Sequence, residues 1–454
     1  MKVKVLCRNP QDYLRQRKTD IHKLPRNIDP ALHPLEGPRE YVRALNATKL
    51  DRVFAKPFVG SLSGHTDGVY CLSKHPKQLS VLLSGACDGE IRIWSLSRQE
   101  CFASVPAHAG FVRGLCMNAD GTTFISVGED KIIKQWNYPE EEEELSSGEL
   151  EPVSTILGKF VFLGIDHHWT EPTFATCGDQ VDIWDESRSE PIRSFTWGVD
   201  SITNIKFNPI EYNILATTGS DRTVALYDVR NSTPLRKVTL AMKSNGIAWN
   251  PMEAFNFTLA NEDSNLYTFD MRRLDRPLNV HKDHVMAVLD VDYSPTGREF
   301  VSGSFDKTLR IFKMDAGHSR DVYHTKRMQR IFCIRWSSDA TYLISGSDET
   351  NIRLWKANAS RKVGRLRPRE RVALEYAEQL KEKFKFHPQI RRIARHRHVP
   401  KLVYKAAKEK RVMAEAQRRK RTNVIRHSKP GSVKIVPERQ KNVVTTCLFS
   451  VVMF

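Results

Sequence analysis

The feature that most constrains this chain is a repeat. An aromatic residue recurs as Trp94, Trp136, Trp184, Tyr227, Phe269, Phe312 and Trp355, at intervals of 42, 48, 43, 42, 43 and 43 residues. Six residues ahead of it stands an acidic turn residue: Asp88, Asp130, Asp221, Asp263, Asp306 and Glu349, with Gly178 in the third repeat. Between turn and aromatic runs a strand of alternating character, such as Ile91-Arg92-Ile93-Trp94. Another apolar strand precedes the turn, such as Val81-Leu82-Leu83-Ser84. Alternation at period two with turns at regular spacing specifies antiparallel hairpins. A single unit of this size cannot bury its own apolar face, so consecutive copies must stack. The long interval contains the acidic run from Glu140 to Glu144 and Ser146-Ser147-Gly148, read as a surface loop between repeats two and three.

A period of about 40–45 residues with Gly-His and Trp-Asp signatures resembles the WD40 repeat, four strands to a blade. Gly64-His65 supplies the first signature, with His108 and His284 in the matching place of repeats two and six. Trp184-Asp185 supplies the second, with Tyr227-Asp228 and Phe269-Asp270 as variants. The resemblance implies a buried hydrogen-bonded network of His, Ser, turn Asp and Trp. His65, Ser84, Asp88 and Trp94 fit it, as do His108, Ser126, Asp130 and Trp136. Repeat six keeps His284, Ser302 and Asp306 but carries Phe312, which has no proton to donate. Repeats three, four and five lack most of the set. A His, Ser and Asp in one unit also evokes a catalytic triad, but a triad is a single nucleophile in a cleft, not copies in successive blades.

The expected fold is therefore all-β: a seven-bladed WD40 β-propeller with an N-terminal arm and a basic α-helical C-terminal extension. The expected divisions are a basic arm over 1–56, the propeller over 57–356, a basic helical domain over 357–444 and an apolar tail over 445–454. Ring closure needs a strand shared between the chain's two ends. Pro57-Phe58-Val59-Gly60-Ser61-Leu62 is the natural outer strand of the blade ending at Trp355.

Charge follows the same division. Residues 357–454 hold 27 basic and 7 acidic side chains, net +20, and residues 1–60 hold 13 and 6, net +7. The stretch 61–356 holds 31 and 40, net −9. A mildly acidic ring with basic ends points to a polyanionic partner. The eight cysteines are scattered without a CxxC pair, which reads as reduced thiols in the cytosol or nucleus. No apolar run approaches the roughly 18–20 residues that span a bilayer. Met1 to Asn9 lacks the apolar core of a secretion signal. No membrane and no small-molecule substrate is expected.

In the arm, a helix is expected from Arg39 to Val53, with Tyr41, Val42 and Leu45 clustered on one side and turned partly inward. In the extension, Pro368 suits a helix start. Ala373, Ala377, Leu380 and Phe384 then share a face that docks on the propeller or a neighbour. A basic stretch follows Pro388, and a second helix is expected from about Lys401 to Arg419. Arg391, Arg392, Arg395, Arg397, Lys401, Arg418, Arg419, Lys420 and Arg421 are the candidate RNA contacts. Clustered Arg suits phosphate because its planar fork binds bidentately, and each contact releases counterions. A solvated charged helix with a nuclear-import signal is the blander alternative. His396 and His398 have no Cys or acidic partner near them in sequence, so no metal and no cofactor is expected.

The segment from Ile393 to Lys401, His427-Ser428-Lys429-Pro430-Gly431-Ser432, Arg26-Asn27-Ile28-Asp29-Pro30 and the segment from Arg43 to Leu50 together resemble the Sof-type WD40 proteins. The likeness runs to about residue 444. The last ten residues, Thr445 to Phe454, depart from that family's basic ending. The resemblance implies a nuclear, nucleolar, non-catalytic scaffold of the small-subunit processome, assembled with small nucleolar ribonucleoprotein proteins on pre-rRNA. Animal members of the family also resemble substrate receptors of the cullin-4 ubiquitin ligase. Such receptors carry an aromatic, Asp, any residue and Arg at a blade end. Tyr227-Asp228-Val229-Arg230 and Phe269-Asp270-Met271-Arg272 match it, which makes Asp228, Arg230, Asp270 and Arg272 candidate contacts for the ligase adaptor. The alternative is that both Asp cap turns and both Arg are solvated. No phosphate loop, metal cluster or nucleophile motif stands apart from the repeats, so no enzyme is expected.

Overall fold

The computed structural model describes residues 35–139, 150–196, 200–231 and 233–448. The readings made of Arg26 to Pro30, of the acidic run with Ser146 to Gly148, and of the last six residues lie outside the described residues.

The chain divides into two compact units. The larger is a ring of seven antiparallel sheets, or blades. Blade 1 illustrates the unit: strands Val69–Lys74, Val81–Ala86, Glu90–Ser95 and Glu100–Pro106 pair in sequence order. The repeating aromatic sits on the third strand, and Trp94, Trp136, Tyr227, Phe269, Phe312 and Trp355 are all buried. Their rings fill the seams between neighbouring sheets, as where Trp136 joins Ile91 and Ile93 of the preceding blade in one cluster. The residue after each turn acid adopts a left-handed backbone: Gly89, Lys131, Arg222, Ser264, Lys307 and Thr350. Gly89 alone in this set is forced, since a Cβ there would lie 2.0 Å from the His108 carbonyl oxygen.

Blade 7 closes the ring with a strand from the far end of the chain. Phe58–Leu62 pairs antiparallel with Ile352–Lys356, matching Leu62 to Ile352 and Phe58 to Trp355. Leu62 is fully buried against Ile352 and Leu354, and the Phe58 ring meets Trp355 edge-on at 5.6 Å.

Blade 4 has a fifth strand. Val443–Leu448 pairs along the outer strand Pro234–Leu240, with Leu240 opposite Val443 and Arg236 opposite Leu448. Thr445 to Leu448, read from sequence as part of an apolar tail, are thus strand. The physical reason is an outer edge whose unpaired N–H and C=O groups accept any extended segment that reaches it.

The smaller unit is helical. It contains α1 (Glu36–Val53), α2 (Pro368–Lys383) and α3 (Pro388–Arg395) up to Ala394. Pro38 lies in the first turn of α1, where a missing N–H leaves no bond unmade. Its core is Ala44, Leu380 and Ile390, bordered by Tyr41, Leu45 and Phe384. Tyr41 donates to Gln389 at 2.6 Å, and Lys381 and Lys383 pair with Asp51 and Glu40, each at 2.6 Å. Tyr41 and Leu45 turn partly inward, as expected, but the buried side chains of α1 are Ala44 and Thr48, and Val42 is half exposed. The apolar face of α2 meets α1, its partner from the other end of the chain. A fourth helix, α4 (Lys401–His427), belongs to the ring unit and runs eight residues past the expected end. Among the described residues, no helix is long and apolar enough to cross a membrane.

Candidate RNA and protein interfaces

The turn residues of blade 2 assemble one closed network. His108 Nε2 lies 2.9 Å from Ser126 Oγ, Trp136 Nε1 donates to the same oxygen at 3.0 Å, and His108 Nδ1 lies 2.9 Å from Asp130. Blade 6 repeats the His284–Ser302 and His284–Asp306 contacts at 2.7 and 3.0 Å, with Phe312 in the aromatic position. Blade 1 differs. His65 Nε2 meets Ser84 Oγ at 2.6 Å and Trp94 Nε1 donates to it at 2.7 Å. Asp88 keeps the turn bond from the N–H two residues on, Glu90, as Asp130 does from Ile132, but its other oxygen accepts from the Thr66 hydroxyl in place of His65. His65 Nδ1 makes no hydrogen bond, with Glu90 3.7 Å away. Burial first, and the nearby Arg92 guanidinium second, push the His65 pKa down to about 4. His65, Asp88 and Glu90 bring three ligand atoms within 4.8 Å of one another. Arg92 lies 2.9 Å from Glu90 and supplies the countercharge there.

Sequence reading missed a second set of polar residues, at the end of the innermost strand. His75, Asn118, His168, Asn208 and Asn250 each accept N–H groups from their own loop, as Asn208 does from Ile210 and Glu211 at 3.0 and 3.1 Å. The other ring nitrogen of each His and the amide nitrogen of each Asn reach the next blade: His75 to Gly121 at 3.1 Å, His168 to Tyr212 at 3.0 Å, Asn208 to Ala254 at 2.7 Å and Asn250 to Gly297 at 3.2 Å. The signal was present in the repeat, as His75-Pro76, Asn208-Pro209 and Asn250-Pro251. These bridges tie blade to blade along one face.

The candidate adaptor contacts lie on that same face, because Asp228 pairs across from Ile214 and Asp270 from Asn256, at the strand ends beside Asn208 and Asn250. In each turn the Asp accepts from the backbone N–H two residues on, at 2.9 Å, and from the Arg guanidinium at 3.1 Å. The two Arg side chains are 70% and 63% exposed. Burial raises the Asp270 pKa, but the Arg272 hydrogen bonds outweigh it and hold the carboxyl below the usual range. Arg272 also lies over the Phe255 ring at 4.2 Å. Arginines of the preceding blades brace both turns: Arg193 donates to the Val229 carbonyl and Arg236 to that of Arg272. The result is two preorganised, outward-facing guanidinium groups.

The candidate RNA residues divide between the units. Arg391 and Arg392 are exposed on α3 of the helical unit. Arg395, Arg397, Lys401 and the run Arg418 to Arg421 belong to the ring unit. Arg397 reaches the Ser319 carbonyl at 3.4 Å, and His398 stacks on His324 at 5.4 Å, so this stretch lies on blade 6. Arg418, Arg419 and Lys420 are exposed on α4 and Arg421 is half-buried.

Ring and extension define a class: a seven-bladed WD40 propeller carrying a basic helical C-terminal extension. Residues 357–443 match the family described as "Sof1-like domain", and 56–95, 99–137, 275–313 and 317–356 match "WD domain, G-beta repeat". The chain is 63% identical over 444 residues to "DDB1- and CUL4-associated factor 13" of Xenopus tropicalis, covering 98% of this chain and 99% of that one. It is 61% identical over 449 residues to the Homo sapiens protein of the same name, with the same coverage. It is 45% identical over 466 residues to "Protein SOF1" of Saccharomyces cerevisiae, covering 98% of this chain and 95% of that one. The chain belongs to the Sof1 family of WD40 proteins.

Proposed function

We propose that this protein is a non-catalytic scaffold of ribosome biogenesis, working in small-subunit pre-rRNA processing within the nucleolus. Its ring engages proteins of the small-subunit processome and its extension engages pre-rRNA. The observation that carries this reading is the Arg418 to Arg421 run on α4: four consecutive cations, three exposed, none paired with a carboxylate among the described residues. Exposed unpaired cations at this density are matched by phosphate, which releases condensed counterions on binding. Crosslinking the full chain to RNA in cells and mapping the modified peptides tests it. Crosslinks to pre-rRNA within α4 are expected; crosslinks confined to the ring, or none, overturn it.

A second reading is favoured by the paired Asp-x-Arg turns on adjacent blades. Relatives at 61–63% identity carry a name stating association with DDB1 and CUL4, and in this reading the chain is a substrate receptor of a cullin-4 ligase. Arg230→Ala with Arg272→Ala should then abolish recovery of the ligase adaptor in pull-down while pre-rRNA processing continues. Undiminished adaptor recovery by a folded double variant refutes it.

A further inference from the structure

The path of the extension around α4 shows how its basic part is held. Lys410 Nζ donates to the Asp263 carbonyl at 3.4 Å and to the Ser264 hydroxyl. Asn442 Nδ2 donates to the Asp263 carboxylate at 3.2 Å and to the Tyr267 hydroxyl. Two residues 32 apart in sequence thus converge on one turn of blade 5. The second foot continues as the strand Val443–Leu448 on blade 4, and Ala241 N–H donates to the Asn442 carbonyl at 2.9 Å. Residues 411–441 are therefore a loop closed at its base.

Its chemistry is unusual for a loop. It holds ten Lys and Arg against two Glu, net +8. Both Glu serve residues at the feet: Glu415 pairs with Arg411 at 2.9 Å, and Glu438 with Lys282 at 3.1 Å and Lys441 at 3.5 Å. The other eight cations make no ion pair among the described residues. Successive helical residues are rotated by about 100°, so Arg418, Arg419, Lys420 and Arg421 point around the whole circumference of α4. A flat surface would meet one side of such a helix. The two phosphate backbones that flank a groove of duplex RNA present charge to such a helix from two sides. The loop contains no Phe, Tyr or Trp. Proteins that hold single strands stack successive bases on aromatic rings, and the one ring this loop offers is the His427 imidazole.

We propose that residues 411–441 form a preformed basic finger that grips the backbone of double-helical RNA, held erect by the Asp263–Tyr267 latch. This rests on the RNA reading above and narrows it to a substrate class. Asp263 and Asp270 lie at opposite ends of the strand Asn265–Asp270, so the finger rises from the face opposite Arg230 and Arg272. A duplex and a protein adaptor fit the ring together.

Fluorescence anisotropy with the full chain tests this, using a 20-base-pair RNA hairpin stem and an unstructured RNA of equal length across a salt series. The duplex is expected to bind roughly tenfold or more tightly. Replacing Arg418, Arg419, Lys420 and Arg421 by Gln should lower the salt slope for the duplex by about three to four, near 0.9 per lost phosphate contact. Asn442→Ala, which opens the base and keeps every charge, should weaken duplex binding with the slope unchanged. If single strands bind as well as duplex, or the four-Gln variant keeps the full slope, the finger inference falls while RNA binding stands. If neither RNA shows salt-sensitive binding, the RNA reading itself falls.

Discussion

Acid should begin to destabilise the ring above the pH at which carboxylates protonate, through buried histidines. His65 and His281 are buried, and burial holds both near a pKa of about 4, against 6.5 in an unfolded chain. The neutral form is the one the fold accepts. As pH falls, the unfolded chain takes up these protons first. The stability each contributes is complete above about 6.5 and is lost progressively as pH falls to about 4. A shift of this size corresponds to about 3 kcal/mol per histidine, so the two together remove roughly 6 kcal/mol, comparable with the whole stability of many domains. His108 and His284 are shifted down as well, and act in the same sense. Depressed carboxyls such as Asp306 and Asp270 extend the loss at lower pH. Urea unfolding between pH 7 and 4 measures this directly. The wild type should lose stability with a slope approaching two protons near pH 5 from these two groups. A His65→Asn, His281→Asn double variant, less stable at pH 7, should lose most of that slope. An identical slope in both proteins would refute the burial argument.

Leu62→Ala should cost about 2–5 kcal/mol, because this closing-strand residue is fully buried against blade 7; Val59→Ala, 38% exposed before truncation, should cost under about 0.5. Equal melting shifts for the two would mean the strand does not close the ring under solution conditions. Trp136→Phe removes the indole donor to Ser126 and part of a buried ring, so about 2 kcal/mol is expected in denaturant titrations. A neutral Trp136→Phe would mean the hydrogen bond contributes nothing beyond what Phe312 already achieves in blade 6.

Legibility followed the distance between cause and signal. The aromatic spacing gave the number of blades because the third strand of each blade must place one large ring in a seam. Pro57 to Leu62 was readable as the closing strand because closure leaves one strand missing from the last repeat. Partner choice was not readable. The faces of α1 and α2 are visible in their periodicity, but nothing local says that a helix at residue 40 packs on one at residue 380. Periodicity favoured Tyr41, Val42 and Leu45; Tyr41 and Leu45 border the core, while Val42 is half exposed and close packing puts the small Ala44 at the centre. Asp88 matched its motif position, yet the oxygen that faces His in blades 2 and 6 accepts from Thr66, and Glu90, paired with Arg92, lies 3.7 Å from His65 Nδ1. The strand over Val443–Leu448 lacked turn signals and depended on a distant edge.

Blade 5 shows why the degenerate repeats deserve as much weight as the regular ones. Where a regular blade puts His beneath the turn Asp, blade 5 offers no such partner. Its Asp263 accepts from Tyr267 and Asn265 within the turn and from Asn442 outside it. A satisfied His–Asp pair has little capacity left for a ligand. An Asp freed from that pairing can accept from another segment of chain. Loss of the motif in the middle repeats is therefore the condition that let the basic extension attach there. The same blade keeps its Asp270–Arg272 turn at the opposite end, so one sheet carries a tail anchor and a candidate adaptor contact separated by the length of a strand. Coupling between them would require the strand itself to shift. Its buried Leu266, Tyr267 and Phe269 oppose that, so the two faces should bind their partners independently.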